Sequence, residues 1–402
     1  MTGTVCIAAL SAAAAAQPLR FDDVVRNLRN PDAKVRLSAV QVLREARYPE
    51  AVVPIAALVN DPVDQVQLEA IAAELSFFLV EDVPEKKRVA FFLEVRTPGK
   101  APAAFALGPM AVWPRDAPAE VISALLRAVD DENPKVRVEA IYAVGVIGRP
   151  PLADDATQLL IKALDHYDPA VRTGAARVAG RLQVKDAGEA LIKAINDSNA
   201  QVRFASMRAL GEIREERAVQ ALTDQFTFYG KGEGAWSALE ALARIAHPSS
   251  VPLFRARLSD RDPFMRRAAA EGLGRIGDRS ELTTLETAAG NDDSEMVRAA
   301  MAFSLQKLGR NYVGRLVDFL DSPKMAPQVQ AYLLELGPSV IPTIVPRLQE
   351  PDNEMRARVA ELLGVFGGDA ALAALQPLTQ DRDREVAKTA TQAIERIKMT
   401  EK

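Results

Sequence analysis

The chain has 402 residues, of which 48% are hydrophobic and 26% charged, and its formal net charge is −4 at pH 7. This hydrophobic content excludes a wholly disordered chain, and the near balance of acidic and basic residues argues against a non-specific nucleic-acid binder. One cysteine and two histidines exclude a disulfide framework and a zinc or haem site built from several Cys or His ligands. We therefore expect no cofactor, no metal and no nucleic-acid partner.

The N-terminal region, residues 1–17, contains an apolar stretch at residues 5–16 (VCIAALSAAAAA) that is typical of a signal peptide. Residues 1–4 lack the Lys or Arg that normally precedes such a stretch, so an Ala-rich tail on a cytoplasmic protein is the alternative. We expect export to the periplasm or the extracellular space. No later stretch is long and apolar enough to predict a membrane span.

A short pattern recurs from residue 18 onwards: an acidic residue or Asn, about five residues, Val-Arg, and a small residue three positions later. We call the arginine of this pattern the Arg position. It is occupied by Arg36, Arg137, Arg172, Arg203, Arg266, Arg298 and Arg356, and in degraded copies by Gln67, Ala235, Gln330 and Ala387. Successive copies lie 26 to 35 residues apart, with one gap of 70. The chain thus has eleven repeat units, or twelve if a degenerate copy lies near residue 102.

Each unit encodes two helices joined by a turn, as residues 187–214 illustrate. Leu191, Ala194 and Ile195 share one face of a first helix, and Asp197 begins a turn. The apolar spacing resumes at Val202 on a second helix. Two short helices cannot bury their apolar faces alone, so the units must stack. Units about 8–10 Å apart would form an elongated array on the order of 100 Å long, with the second helices on its concave face.

Charged and small residues in the repeat predict how neighbouring units touch. The acid six residues before the Arg position lies near the N-terminus of the second helix, which favours a carboxylate there. We predict a ladder of Asp–Arg contacts, within a unit or between neighbours, formed by Asp131, Arg137, Asp197, Arg203, Asp260, Arg266, Asp292 and Arg298. The alternative is a solvated charged rim. Glycines eight residues after the Arg position predict close helix crossings, since each costs about 1 kcal/mol against Ala within a helix.

Residues 76–118 break the repeat between the N-terminal units (18–75) and the main array (119–398), which a short tail (399–402) follows. This segment is rich in aromatic residues and proline. We expect a helix near residues 85–95, followed by an extended loop. The aromatic residues are candidate partner-binding residues, because aromatics concentrate binding energy at interfaces: Phe77, Phe78, Phe91, Phe92, Phe105 and Trp113. The alternative is a degenerate repeat whose aromatic rings fill the core.

The pattern Asp-x4-Val-Arg, followed by Ala and Gly, resembles the HEAT repeat. The form at residues 271–277 (EGLGRIG) is similar to the bacterial HEAT-like subgroup with phycobilisome-lyase-type repeats. The resemblance covers residues 20–398 and implies an all-α fold, a right-handed α-solenoid of about eleven or twelve helix pairs.

Function is less sharply indicated than fold, because the HEAT scaffold serves many roles. We expect no catalytic residues, and a monomeric, non-catalytic scaffold that binds a protein partner. The alternative that the resemblance implies is a bilin-lyase-type enzyme or enzyme subunit. Iron-binding HEAT hydroxylases use repeated His-Glu motifs, which His166 and His247 cannot supply.

Overall fold

The computed structural model describes residues 20–81 and 99–401. The apolar stretch at residues 5–16, the helix predicted near residues 85–95, and the candidate residues Phe91 and Phe92 lie outside this part of the chain. The described part contains no strand, only an isolated antiparallel bridge between Leu79 and Val112.

The described chain forms twenty-three α-helices. The first twelve are α1 (Phe21–Asn27), α2 (Ala33–Ala46), α3 (Val52–Ala56), α4 (Asp64–Phe78), α5 (Lys100–Phe105), α6 (Ala119–Arg127), α7 (Pro134–Ile147), α8 (Asp154–Ala163), α9 (Pro169–Arg181), α10 (Gly188–Ala194), α11 (Ala200–Glu212) and α12 (Val219–Tyr229). The others are α13 (Gly232–Ile245), α14 (Val251–Arg257), α15 (Pro263–Ile276), α16 (Leu282–Asn291), α17 (Glu295–Lys307), α18 (Val313–Asp318), α19 (Ala326–Leu336), α20 (Ile341–Ile344), α21 (Asn353–Phe366), α22 (Gly368–Leu375) and α23 (Arg384–Thr400).

All of these helices except α5 pair into eleven units, from α1 with α2 to α22 with α23. The second helix of each unit packs on the second helix of the next, which confirms the predicted all-α solenoid of stacked helix pairs. In α11, Asn199 caps the N-terminus by accepting from the main-chain N–H of Gln201, with 2.9 Å between the atoms. Val202 and Leu210 of this helix are fully buried between the units.

The glycines eight residues after the Arg position lie at helix crossings, as the repeat predicted. A Cβ atom on Gly211 would lie 2.7 Å from the Cα atom of Ala241 in the next unit. The same atom on Gly180 would lie 2.9 Å from the Cα atom of Ala209. These distances are too short for any side chain, so the units approach closely only because glycine occupies the position.

The irregular segment is an insertion between two stacked units, because the units on either side of it are in direct contact. Helix α4 packs on α7, and α3 packs on α6. The side-chain amide of Asn60 donates to the main-chain carbonyl of Ala124 at 3.0 Å. Among the described residues, no helix pair therefore lies between these two units of the stack.

Residues 99–113, which we call the crossing segment, are more helical than the extended loop expected from their prolines. The segment contains α5 and a 3-10 helix at Pro109–Ala111. The carboxylate of Glu139 on α7 accepts from the main-chain N–H of Ala101 at 2.8 Å. It thereby satisfies a donor at the start of α5 that would otherwise lack a partner.

The stack is strongly curved rather than elongated, because its C-terminal helix meets the insertion. The guanidinium of Arg396 on α23 donates to the carbonyl of Val112 at 2.5 Å. Gln392 donates to Glu81 at 3.3 Å, and Lys388 forms an ion pair with the same carboxylate. Each of these contacts joins residues that are at least 284 positions apart in the sequence. The prediction of an elongated array on the order of 100 Å long is therefore wrong.

Candidate functional site

The turn edge of the solenoid carries the residues of the predicted ladder. Each arginine at the Arg position donates from Nη1 to main-chain carbonyls of its own turn, as Arg172 does to His166 at 2.7 Å. Its other nitrogens reach the next unit, where Arg172 Nε and Nη2 donate to the two carboxylate oxygens of Asp197 at 2.7 and 2.9 Å. The arginine thus closes one turn and binds the next.

Other predicted ladder residues follow the same arrangement. Arg266 binds both carboxylate oxygens of Asp292 at 2.7 and 2.9 Å. Arg137 donates to Asp168, the N-cap of α9, at 2.6 Å. Outside the predicted set, the pairs Arg36–Asp61 and Arg356–Asp381 have the same geometry.

Four predicted ladder residues have different partners. Arg203 donates to the hydroxyl of Tyr229 at 2.6 Å, because Tyr229 stands where other units carry the acid. Arg298 donates only to the carbonyls of residues 292 and 293, since Lys324 stands at the acid position of the next unit. Asp131 accepts from Gln67 at 2.7 Å, and Asp260 from Arg257 at 3.0 Å.

The ladder pairs are largely shielded from water, unlike the solvated rim considered as the alternative. The side chains of Arg172 and Asp197 are each 13% exposed. Burial opposes ionisation of Asp197, but the hydrogen bonds from Arg172 and from the main chain of Asn199 outweigh it, so the pKa of Asp197 lies below its usual value. The ladder is therefore a built-in structural feature of the turn edge.

The side of the second helices that lies away from the turn edge forms the inner face of the curved stack. Glu335 on α19 accepts from Arg275 on α15 at 2.9 Å, although α17 lies between these helices in the stack. Contacts across two units require the stack to curve towards this side. The second helices therefore line the concave face, as the sequence predicted.

A cavity of about 500 Å³ opens on this inner face, and we call it the charged cavity. The second helices α11, α13, α15 and α19 contribute to its wall, together with Gln183 in the turn after α9. It is lined by Gln183, Gly211, Glu212, Arg214, Glu240, Arg244, Arg267, Glu271, Arg275, Gln328, Ala331, Tyr332 and Glu335. Four arginines and four glutamates are among these lining residues.

The floor of the charged cavity is a network of paired groups around Glu271, which is only 6% exposed. Its carboxylate accepts from the hydroxyl of Tyr332 at 2.5 Å and from Arg275 at 3.1 Å. Burial opposes ionisation of Glu271, but Arg275 and Arg267 outweigh burial and hold its pKa below the usual value. Arg267 also pairs with Glu240. The acidic and basic side chains of the floor thus neutralise one another.

The rim of the charged cavity differs from its floor. Arg214 and Arg244 are exposed, and the guanidinium group of neither forms a hydrogen bond or close ion pair with a described residue. Arg214 follows α11 in the left-handed conformation, with φ of 56°. These two guanidinium groups are the ones in the cavity that remain open to a ligand.

Sequence reasoning missed the charged cavity, although the repeat register contains a signal for it. Nine residues after the Arg position, the units carry Arg181, Arg244, Arg275, Lys307 and Arg396. Five residues after it, they carry Glu240, Glu271, Glu335 and Glu361. Arg181 and Arg275 directly follow a crossing glycine, Gly180 and Gly274. The recurrence of basic residues at one position and of glutamates at another is the pattern that would have indicated a charged inner face.

The candidate partner-binding aromatic residues do not form one exposed surface. Phe77 and Phe78 are 7% and 4% exposed, so their assignment as partner-binding residues is corrected to core residues of α4. Phe105 is half-buried and packs edge-on against Tyr142, with ring centroids 5.2 Å apart. Trp113 is also half-buried, and its main-chain N–H donates to the carbonyl of Phe78 at 2.8 Å.

A second recess, which we call the C-terminal cavity, lies between the crossing segment and the last units. Its volume is about 420 Å³. Leu107, Met110, Leu334 and Leu362 give it apolar walls, and Glu361 faces it as a polar group. Burial raises the pKa of Glu361. The cavity shows how closely the insertion and the C-terminal units approach one another.

The two histidines act within turns. His166 is buried, and its Nδ1 accepts from the main-chain N–H of Asp168 at 3.0 Å. His247 Nδ1 accepts from the main-chain N–H of Ser249 at 3.3 Å.

The described residues contain no group of three or more His, Cys, Asp or Glu arranged to hold a metal ion. No helix among them could span a membrane.

Comparison with known structures finds similar chains of low sequence identity. An engineered protein is 20% identical, with a TM-score of 0.40 over 94% of this chain and 98% of its own. The CpcE–CpcF complex of phycocyanin lyase from Nostoc is 19% identical, with a TM-score of 0.37 over 60% and 94% of the two chains. Human deoxyhypusine hydroxylase is 19% identical, with a TM-score of 0.30 over 70% and 97%. No curated protein matches the sequence significantly.

The sequence match to a family is more decisive than these structural similarities. The family described as HEAT repeats matches three segments, residues 156–227, 232–306 and 328–402. Together these segments make up more than half of the chain, and each covers stacked helix pairs of the structure. The chain therefore belongs to the HEAT repeat family.

Proposed function

We propose that this protein is a non-catalytic scaffold that binds a protein partner on the inner face of its HEAT-repeat solenoid. The observation that carries the proposal is the charged cavity, whose wall comes from the second helices of four units and from Gln183 after α9. Its volume of about 500 Å³ lies within the range of protein recesses that bind ligands. A partner bound there would contact several units at once.

The chemistry of the cavity supports recognition rather than catalysis. The buried acids and bases of its floor are paired with one another, as Glu271 is with Arg275 and Glu335 is with the same arginine. Arg275 and Arg267 hold Glu271 in its ionised form, whereas a general acid or base needs a pKa near the working pH. The exposed rim arginines offer hydrogen-bond donors to a partner instead.

Site-specific photo-crosslinking in cells of the native organism tests this function. A photoreactive amino acid replaces Ala331, which is exposed in the charged cavity, or Gly314 on α18, a first helix with open space around it. We expect a protein crosslinked from position 331 and none from position 314. Crosslinking at both positions alike, or only at position 314, would contradict inner-face binding, as would no crosslink at all.

We also propose export, on the basis of the apolar stretch at residues 5–16. Mass spectrometry of the mature N-terminus from the native host tests this proposal. We expect a chain that begins after this stretch, and a mature protein that retains it would contradict export.

A further inference from the structure

The inner face already binds one stretch of this chain through a row of basic residues. This basic row, nine residues after the Arg position, contains Arg181 and Arg396. Arg181 Nη1 donates to the main-chain carbonyl of Phe105 at 2.6 Å, and Arg396 Nη1 donates to that of Val112 at 2.5 Å. Both acceptors belong to the crossing segment. The row therefore binds oxygen atoms of a segment that lies along the inner face.

Other members of the basic row line or adjoin the charged cavity. Arg275 is occupied by Glu271 and Glu335. Arg244 is exposed and lacks such a partner among the described residues. Arg214, at the end of α11, lines the same cavity and is equally unpaired among the described residues. Arg267 adds a buried Nε atom with no hydrogen-bond acceptor. The donors of the cavity thus exceed the acceptors that they reach.

The acidic residues of the cavity do not fill this gap. Glu240, Glu271 and Glu335 already form ion pairs with Arg267 or Arg275. The fourth, Glu212, forms no close ion pair with a described residue, and burial raises its pKa against the opposing charges of Arg244, Arg181 and Arg208. A ligand that supplies anionic acceptors at the rim would complete the pairing.

We propose that the charged cavity binds an acidic segment of a protein partner, with a carboxylate held by Arg214 and Arg244. This inference rests on the proposed function and names the chemistry of the partner. Arginine suits the role, because its planar guanidinium forms charge-assisted, bidentate hydrogen bonds with carboxylates. The partner segment would lie along the inner face, as the crossing segment does. Its acceptor oxygens would bind arginines of the cavity, as the crossing segment's carbonyls bind Arg181 and Arg396.

Fluorescence anisotropy with a labelled hexaglutamate peptide tests the proposal directly, with hexaglutamine as the uncharged probe. The test variant is Arg214→Gln/Arg244→Gln. The control variant is Arg127→Gln/Arg315→Gln, which removes two exposed arginines from the first helices α6 and α18 and has the same net charge. We expect the full chain and the control to bind hexaglutamate, and the test variant to bind it about tenfold or more weakly.

Equal hexaglutamate affinity in the test and control variants would overturn the proposal, as would no hexaglutamate binding to the full chain. Binding of hexaglutamine as tight as that of hexaglutamate would also overturn it. Both substituted side chains are exposed, and the single variants, measured separately, provide a second test if the double variant unfolds. A partner crosslinked at position 331 together with unchanged peptide affinity would overturn the acidic chemistry while leaving the scaffold function standing.

Discussion

Arg172 shows how much one side chain of the repeat does. It donates to two main-chain carbonyls of its own turn and to both carboxylate oxygens of Asp197 in the next unit. A lysine has no planar fork with which to make these bonds at once. The sequence predicted an Asp–Arg contact from register alone, but the direction of pairing, to the next unit, depends on helix positions that one unit does not encode.

Replacement of Arg172 by Ala should destabilise the protein by about 2–3 kcal/mol, because it leaves the largely buried Asp197 without its cation. Lys193→Ala is the matched control, since Lys193 and Asp165 form a pair whose side chains are 76% and 80% exposed. We expect this control to cost less than about 0.5 kcal/mol. Urea unfolding of both variants measures the difference, and similar losses would contradict a structural role for the ladder.

Glu74 is an exception within the core. It is fully buried, and neither carboxylate oxygen has a hydrogen-bond partner. Leu210, Leu242 and Leu273 occupy the same position of other units. Burial therefore raises the pKa of Glu74 well above its usual value. The register alone identifies this residue as anomalous, although it gives no reason for its presence.

Replacement of Glu74 by Leu should stabilise the protein by about 2 kcal/mol at pH 7. The folded-state pKa is raised, so protonation favours folding below the unfolded pKa of about 4.3, and this contribution is lost as the pH rises. The gain from Glu74→Leu should thus shrink at pH 4. Thermal unfolding at both pH values measures it, with the exposed Glu120→Leu as control. A gain independent of pH would contradict the buried, protonated state.

At the scale of the elements, the repeat makes the helix crossings predictable. Gly180, Gly211 and Gly274 sit at one position of the pattern, and each faces main-chain atoms of the next second helix. Glycine destabilises a helix, so its recurrence at one position of the repeat indicates that close packing requires it. The sequence alone therefore predicted these crossings. The crossing segment is different, because its helix α5 depends on Glu139, 38 residues away from Ala101.

Replacement of Gly211 by Ala should destabilise the protein by about 1–3 kcal/mol, because the new Cβ atom would lie 2.7 Å from the Cα atom of Ala241. Gly314→Ala is the control, since open space surrounds Gly314 on α18. This change should be neutral or stabilise the protein by up to about 1 kcal/mol. Denaturant unfolding compares them, and a stable Gly211→Ala variant would contradict close packing at the crossing.

At the scale of the whole molecule, the curvature brings distant parts of the chain together. Glu81 contacts Lys388 and Gln392, and Val112 contacts Arg396. No periodic signal in the sequence indicates these contacts, because they occur once and lie outside the repeat. The sequence therefore predicted a stack of units but missed its closure, the C-terminal cavity at that closure, and the charged cavity.

Closure also decides where a partner can bind. The crossing segment occupies the inner face beside α7 and α9 and reaches α21 and α23. The charged cavity, formed by α11, α13, α15 and α19 with Gln183 after α9, remains open. The proposed function consequently depends on the shape of the entire array rather than on any single unit.

A distance measurement between the crossing segment and the last unit tests this closed arrangement most directly. Spin labels at Leu107 and Glu385, which both line the C-terminal cavity, would be measured by double electron–electron resonance in a Cys6→Ser background. The closed solenoid predicts a distance below roughly 30 Å, about the diameter of a small domain. A distance of roughly 60 Å or more, as expected for helix pairs about 10 Å apart in an open array, would contradict it.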